Sequence, residues 1–454
     1  MSLNTEKPLK KKVGMISLGC PKNLVDSEVM LGILKNRGYE ITNQSEKADI
    51  LIINTCSFIE EATQESINTV LEYAEASRKN DKILVVTGCM AERFRDEIFK
   101  EIPEVDVVLG TGSCSLIADA IEQAIDGKKI SFYEKLADDD FLERDRILSI
   151  SSGYAYLKIA EGCNNCCTYC IIPKLRGKYR SRSMESIVSE AKELAKNGVR
   201  EVILIAQDTT NYGTDIYGKL AIVDLIRELS RIDGIEWIRL LYCYPELITD
   251  DLIREFAENE KLCKYIDIPI QHISDRILKL MGRRGGSETV LNVLEKLRER
   301  VPDIILRTTL IVGFPGETDE DFEILYNFVG RQRFDRLGVF TYSREEGTPA
   351  AEMKNQVPDR IKLSRYNRIM ALQKQISAEV NRKRMNRVYR TLVQGVADDG
   401  IFYYGRTYGE SPDIDGVIYF TSTEPLDIGS FVNVRILNTE QYDLIGEVIY
   451  ESAE

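Results

Sequence analysis

The stretch Cys163-Asn-Asn-Cys166-Cys167-Thr-Tyr169-Cys170 decides how the rest of the chain is read. Within it, Cys163, Cys167 and Cys170 are spaced C-x3-C-x2-C. Three thiolates this close on one loop can wrap a small inorganic cluster. A 4Fe–4S cube has four irons, so three cysteines leave one iron without a protein ligand. An open coordination position is where metal chemistry happens, whereas a closed one is structural. Zinc is the competing reading, and it asks for four ligands, usually from two C-x2-C units or from one such unit and histidines. The only histidine, His272, lies far away in sequence. Cys166 adjoins Cys167, and adjacent side chains point apart, so Cys166 reads as a spectator. The loop is therefore taken as a cluster loop rather than a zinc site or a disulfide.

Upstream, residues 13 to about 126 alternate apolar runs with amphipathic stretches. Strands are expected at Val13–Leu18, Asp49–Ile53, Ile83–Thr87 and Val105–Leu109, with a weaker one at Tyr39–Ile41. Helices fall at roughly 24–37, 58–78, 91–100 and 115–125. Such alternation implies a parallel sheet with helices on both faces, here a small doubly wound domain of flavodoxin-like shape. Cys20 in SLGCPKN, Cys56 in NTCSF and Cys89 in TGCM each follow one of these strands. Ligands of open α/β sheets bind outside the carboxyl ends of the strands. Three cysteines at equivalent addresses thus point to a second three-cysteine cluster site. A lone buried cysteine is more often just a small apolar side chain, which is how Cys114, Cys243 and Cys263 are read.

Downstream of a charged stretch at 127–150, read as a linker, a second β/α series begins. Its strands are expected near 154–160, 201–206, 236–242, 264–269, 304–311 and 337–342. Six β/α units, with the cysteine loop directly after the first strand, suggest an open, partial TIM barrel whose site lies at the strand C-termini. The polar motifs there are Gln207-Asp208, Gln271-His272 and Gly313-Phe-Pro-Gly316-Glu317. Gly313 and Gly316 permit close approach of backbone to a ligand, and Gln207 and His272 are candidate cofactor contacts. A helical stretch at 357–384 carries eight basic and two acidic residues and is read as a solvated face rather than an RNA contact. Short strands broken by Gly, Pro and Asp then mark a small antiparallel β-barrel over 385–454. The expected domains are thus 11–128, 149–384 and 385–454.

Composition sets the outer limits. The 454 residues suit two or three domains, and 43% hydrophobic with 29% charged content suits a soluble globular protein. No apolar run reaches the length of a membrane span, and the polar start MSLNTEKPLKKK shows no signal peptide. Ten cysteines without export fit a reducing cytoplasm. A net charge of −13 argues against a protein that coats nucleic acid.

The C-x3-C-x2-C loop, with an aromatic before its last cysteine, resembles the signature of the radical S-adenosylmethionine (SAM) enzymes. The two cysteine triads, the order of three domains and the terminal barrel together resemble the methylthiotransferases, over nearly the whole chain. That resemblance implies an N-terminal cluster domain, a radical SAM barrel and a C-terminal TRAM domain. It implies two 4Fe–4S clusters, on Cys163, Cys167 and Cys170 and on Cys20, Cys56 and Cys89. SAM would bind the open iron of the first cluster and be cleaved to a deoxyadenosyl radical, while the second cluster would hold the sulfur to be transferred. Cys166 departs from the family, which more often carries a basic or polar residue there. The segments SLGCPKNLVDSE, YIDIPIQHISDRIL and GRTYGESPDIDG at 405–416 resemble the branch that modifies the β-carbon of an aspartate in ribosomal protein S-twelve. The implied partners are that protein, free or in the small ribosomal subunit, an electron donor such as flavodoxin or ferredoxin, and a sulfur donor. No membrane partner is implied, and contact with RNA is left open through the ribosome. The rival readings are a tRNA adenosine methylthiotransferase and a non-catalytic iron–sulfur scaffold or sensor. Charge favours a protein target. Residues 385–454 hold four basic and twelve acidic residues, or −8 of the chain's −13, and RNA binding asks for the opposite sign.

Overall fold

Short apolar runs buried on both faces build the first sheet of the computed structural model, which describes residues 11–134, 140–149 and 152–450. In chain order the elements are β1 (Lys12–Ser17), α1 (Pro21–Asn36), β2 (Glu40–Ile41), β3 (Ile50–Thr55), α2 (Glu60–Asn80), β4 (Ile83–Gly88), α3 (Cys89–Phe94), α4 (Glu97–Glu101), β5 (Val107–Leu109), α5 (Ile117–Ile125) and β6 (Ile130–Phe132). The strands lie in the order β2-β1-β3-β4-β5-β6, all parallel. This is the flavodoxin-like order with one strand added. β3, Ile-Leu-Ile-Ile-Asn-Thr, is buried at every residue, as a central strand covered by helices on both faces must be. The stretch read as a linker is corrected here: β6 lies inside it and pairs with β5. Three residues paired along one edge leave too short a run for an alternation signal. The Asp138 and Asp139 of that stretch lie outside the described residues.

The chain packs as two compact units. Of the described residues, the first takes in those up to 149 together with 161–164 and 170–179; the second holds 152–160, 165–169 and 180–450. Around the cysteine loop come β7 (Tyr154–Lys158), β8 (Ala160–Glu161), α6 (Ile172–Arg176) and β9 (Arg180–Ser181). The series continues with α7 (Met184–Lys196), β10 (Glu201–Ile205), α8 (Ile222–Ser230), β11 (Trp237–Leu240), α9 (Asp250–Glu258) and β12 (Leu262–Gln271). It ends with α10 (Asp275–Leu280), α11 (Ser287–Arg300), β13 (Ile305–Val312), α12 (Asp319–Gln332), β14 (Arg336–Thr341) and α13 (Asp359–Arg382). The six long strands form an open parallel sheet in the sequential order β7-β10-β11-β12-β13-β14, the order of a partial barrel. On the basic α13, Arg365 is buried and bonds Glu317 and Asp319, while Arg368, Arg360 and Arg382 stay exposed, Arg368 pairing with Glu323 over the rings of Phe322 and Tyr326.

β15 (Val388–Val396), β16 (Tyr403–Arg406), β17 (Ile418–Thr421), β18 (Phe431–Thr439) and β19 (Leu444–Val448) close into a five-stranded barrel. Its pairings are antiparallel except that β17 runs parallel to β19. The segment 405–416 joins this barrel to the starting ends of the partial-barrel strands through buried charges. Glu201, at the start of β10, lies between Arg239 at 2.7 Å and Arg406 at 2.6 Å, all three essentially without exposure. Burial alone would raise the Glu201 carboxyl, but the two guanidiniums outweigh it and hold it below its ordinary value. Glu410 likewise accepts from Arg336 at 3.0 Å, from Arg384 and from the Thr407 backbone and hydroxyl. Tyr156 and Tyr265 donate their hydroxyls to Asp413 and Asp415. Glu410 and Asp415 are thus turned inward, so the acidity counted over 385–454 overstates the acidic surface.

Removing one partner of a buried ionic cluster leaves the others unpaired, which costs about 3–5 kcal/mol. Glu410→Ala is expected to lower the urea unfolding free energy by about that amount, and a loss under about 1 kcal/mol would refute the lock. Burial opposes ionisation of Glu410, yet Arg384 and Arg336 bring its carboxyl down from 4.5 to about 2. A depressed carboxylate stabilises above its unfolded value, so this contribution is full above 4.5 and drains away as pH falls toward about 2.

Candidate functional site

In the first unit, β1, β3 and β4 are neighbours in the sheet, and Cys20, Cys56 and Cys89 follow their carboxyl ends. Cys20 is the residue before α1 and Cys89 is the first residue of α3. The chain order reverses between β1 and β3, which makes this edge the topological switch point of the sheet. Gly19 holds φ +86°, and a Cβ there would lie 2.6 Å from Cys56 Cβ and 2.9 Å from its Sγ. Gly88 holds φ +93°, and its Cβ would meet the Thr55 carbonyl at 2.5 Å. Glycine is required at both places so that these turns can close around the thiols. No disulfide ties any of the three. Burial, then the proximity of Cys89 and Cys20, pushes the Cys56 thiol up to about 12. Burial also raises Cys89, against the pull of Arg176. Bound iron would hold the thiols of Cys56 and Cys89, which resist ionisation on their own, as thiolates.

Arg176, at the end of α6, is buried in the same unit. Its Nη1 donates to Asp26 at 2.6 Å and Glu161 at 3.2 Å. Its Nη2 donates to Asn23 Oδ1 and to Cys89 Sγ at 3.5 Å. Asn23 in turn donates to the Leu18 and Thr55 carbonyls, both 3.0 Å away. Ile171 and Leu175 pack on Cys89, and the Thr111 hydroxyl donates to the Leu175 carbonyl at 2.5 Å. Cys163 and Cys170 belong to this unit as well, and the Cys163 amide donates to the Gly177 carbonyl at 3.1 Å.

In the second unit, Cys167 Sγ lies 4.0 Å from the Tyr244 hydroxyl and 4.0 Å from Arg283 Nη1, and Arg283 stacks on the Tyr244 ring. Thr168 is pinned by the Met281 and Leu280 carbonyls, and Asn165 donates to Asp208 at 2.9 Å. Tyr169 packs against a cluster containing Ile277, Met281, Phe314 and Tyr342. Cys166 is exposed. Gln207, His272 and Gly313 follow the ends of β10, β12 and β13. The Gly313 and Phe314 amides donate to the Glu317 carboxylate at 2.6 and 3.1 Å, and the Gly316 amide donates to the Asn355 carbonyl. Burial raises Glu317 to about 7 against the opposing pull of Arg365. Among the described residues, no three His, Cys, Asp or Glu side chains form a ligand set for a single metal ion. In a cube each thiolate binds its own iron, so ligand sulfurs need not converge on one point.

Three family models match the chain. Residues 12–110 match "Uncharacterized protein family UPF0004", 157–329 the radical SAM superfamily and 387–449 the TRAM domain. These define a radical SAM enzyme with an added N-terminal sheet domain and a TRAM barrel. Radical SAM enzymes use SAM and a 4Fe–4S cluster. A protein of Acetivibrio thermocellus called ribosomal protein uS12 methylthiotransferase RimO is 60% identical over 98% of this chain and 100% of its own length. Proteins of the same name from Clostridium tetani and Clostridioides difficile are 51% and 48% identical, over 98% and 97% of this chain and the whole of each relative. The chain belongs to the RimO family of methylthiotransferases, and it is a transferase. Among solved structures, the radical SAM methyltransferase TsrM of Kitasatospora setae aligns with a TM-score of 0.57 at 16% identity, over 75% of this chain and 77% of that one. The cobalamin-dependent radical enzyme OxsB aligns with a TM-score of 0.53 at 14% identity, over 86% of this chain and 62% of its own. At such identities these two speak for the fold alone.

Sequence reasoning missed Arg176, Arg283 and Tyr244. No spacing rule singles out an arginine six residues beyond Cys170, and Arg283 and Tyr244 reach Cys167 only through tertiary folding. His272 is fully buried; its Nδ1 accepts from the Ser274 amide at 3.0 Å, so the neutral ring carries its proton on Nε2. Burial lowers its pKa from 6.5 to about 3. A depressed base favours the fold while neutral, so stability is lost as pH falls below 6.5, with the loss complete near 3. Because the chain has one histidine, labelled imidazole nitrogens give one readable NMR signal set. Those shifts are expected to stay constant from about pH 8 to about pH 5, and a midpoint near the free value of about 6.5 would show an accessible ring instead.

Proposed function

We propose that this chain adds a methylthio group to the β-carbon of an aspartate in ribosomal protein uS12, as a free protein or within the small ribosomal subunit. The observation that carries the reading is the trio of strand-end thiols Cys20, Cys56 and Cys89, which SAM cleavage alone does not require. The ligand assignment is Cys163, Cys167 and Cys170 for one 4Fe–4S cluster and Cys20, Cys56 and Cys89 for a second. When bound, these groups with SAM supply the means to break an unactivated C–H bond and the sulfur to be inserted, chemistry beyond side-chain bases near neutral pH. The chain's own residues position the parts. Asp208 holds Asn165, the Met281 and Leu280 carbonyls hold Thr168, and Arg283 with Tyr244 flanks the Cys167 sulfur. Gln207 and Gly316, both half-buried, lie on the strand-end surface offered to SAM, while His272 and Gly313 are buried and support it from beneath. The three parts divide the work as sulfur domain, radical barrel and substrate-positioning TRAM barrel. The remaining surface acids of 385–454 suit a basic ribosomal protein better than tRNA. No described helix is long and apolar enough to cross a membrane. A ribosomal protein as substrate places the site of action in the cytoplasm. An electron donor such as flavodoxin or ferredoxin and a sulfur donor complete the system.

The test is an anaerobic reaction of reconstituted enzyme with SAM, sulfide and reductant, offered ribosomes and bulk tRNA in parallel. Mass spectrometry is expected to find one methylthio group on a uS12 aspartate. The same group on a tRNA adenosine would overturn the substrate assignment. Alanine at Cys163, Cys167 and Cys170 together should abolish 5′-deoxyadenosine formation, and persistent cleavage would refute that ligand set. Alanine at Cys20, Cys56 and Cys89 should stop sulfur insertion while sparing some SAM cleavage; product from that variant would refute the second cluster.

A further inference from the structure

One guanidinium in the first unit touches segments that carry ligand cysteines of both triads. Glu161 lies two residues before Cys163, and Arg176 itself lies six residues after Cys170. Asn23 and Asp26 stand on α1, which begins beside Cys20, and Cys89 opens α3. The planar fork divides its work: Nη1 faces the carboxylates of Asp26 and Glu161, while Nη2 faces the Asn23 amide oxygen and Cys89 Sγ. The carboxylates fix the fork in orientation, and the remaining edge is spent on a sulfur. Arginine suits this role because its donors are rigidly coplanar; a lysine ammonium is a point charge on a flexible stem. With Arg176 only 4% exposed, no water shell screens the contact.

We propose that Arg176 is a positioning residue that sets the reduction potential of the cluster on Cys20, Cys56 and Cys89 by donating an N–H···S hydrogen bond to the Cys89 ligand. The inference rests on the proposal that this triad holds a cluster. A donor and a positive charge at a ligand sulfur draw electron density from the thiolate and stabilise the reduced form, which carries one more negative charge. Hydrogen bonds to ligand sulfurs and net charge are two of the levers known to move such potentials. Asp26 and Glu161 work in the opposite sense, so the arginine's effect is tempered by the anions that hold it.

The experiment uses the full chain with Cys163, Cys167 and Cys170 changed to alanine, so that only the N-terminal triad can load. After anaerobic reconstitution, iron is counted, and the one-electron reduction by dithionite is followed by EPR at controlled potential. Arg176→Lys and Arg176→Gln are expected to keep about four irons per chain. Their reduction equilibrium should fall at least tenfold, which is about 59 mV for one electron. Glu161→Gln leaves the N–H···S contact in place but removes a balancing anion, and its potential should rise. Loaded arginine variants with the parent's potential would overturn the arginine's role while leaving the cluster intact. If both arginine variants lose their iron, the Glu161→Gln titration decides, an unchanged potential counting against the proposal. A parent that binds no iron overturns the cluster assignment, and the inference with it.

Discussion

A charge taken out of water has to be matched by the protein, and that constraint organises both units. An isolated buried ion costs several kcal/mol, more than any single contact returns. In the first unit the Arg176 guanidinium is matched by Asp26, Glu161, the Asn23 amide and the Cys89 sulfur. In the second, Glu201 is matched by Arg239 and Arg406, and Glu410 by Arg336 and Arg384. Such clusters add less net stability than an apolar core of equal volume, but they tolerate no missing member. They therefore specify which segments meet, and the segments they specify carry the candidate ligand cysteines in one unit and the barrel junction in the other.

Parallel sheets supply the second organising constraint. Every strand of such a sheet ends on the same edge, so residues distant in sequence arrive side by side without long-range design. The first sheet uses this edge for Cys20, Cys56 and Cys89. The sheet of the second unit uses it for the polar strand-end motifs at Gln207, His272 and Gly313. Its opposite edge, where β10 and β14 begin, is given to the charged junction with the C-terminal barrel through Glu201 and Arg336. The candidate site and the charged junction thus lie at opposite ends of the same strands.

Much of this was legible along the chain. Apolar runs of five or six residues placed the strands to within a residue or two, because a strand buried on both faces has no polar position to hide it. The six cysteines stood out because thiols at strand ends and at C-x3-C-x2-C spacing have few other uses. The linker assignment failed at β6, where a three-residue edge strand carries too little pattern. The charge count over 385–454 was correct, yet its meaning changed. Glu410 and Asp415 face inward against Arg336, Arg384, Tyr265 and Arg307, and sequence records a charge without recording its direction.

The sequence by itself determined the fold class and the order of its parts, and it singled out the six cysteines proposed as ligands, since these depend on periodicity and spacing, which are local. Only tertiary structure decided which arginine faces which sulfur, that His272 is buried and neutral, and that 405–416 is a charged junction rather than an exposed loop. Those outcomes depend on which groups share a desolvated space. Pairing of that kind joins residues dozens to hundreds of positions apart, such as Arg176 with Asp26 and Arg406 with Glu201, and no local pattern encodes it.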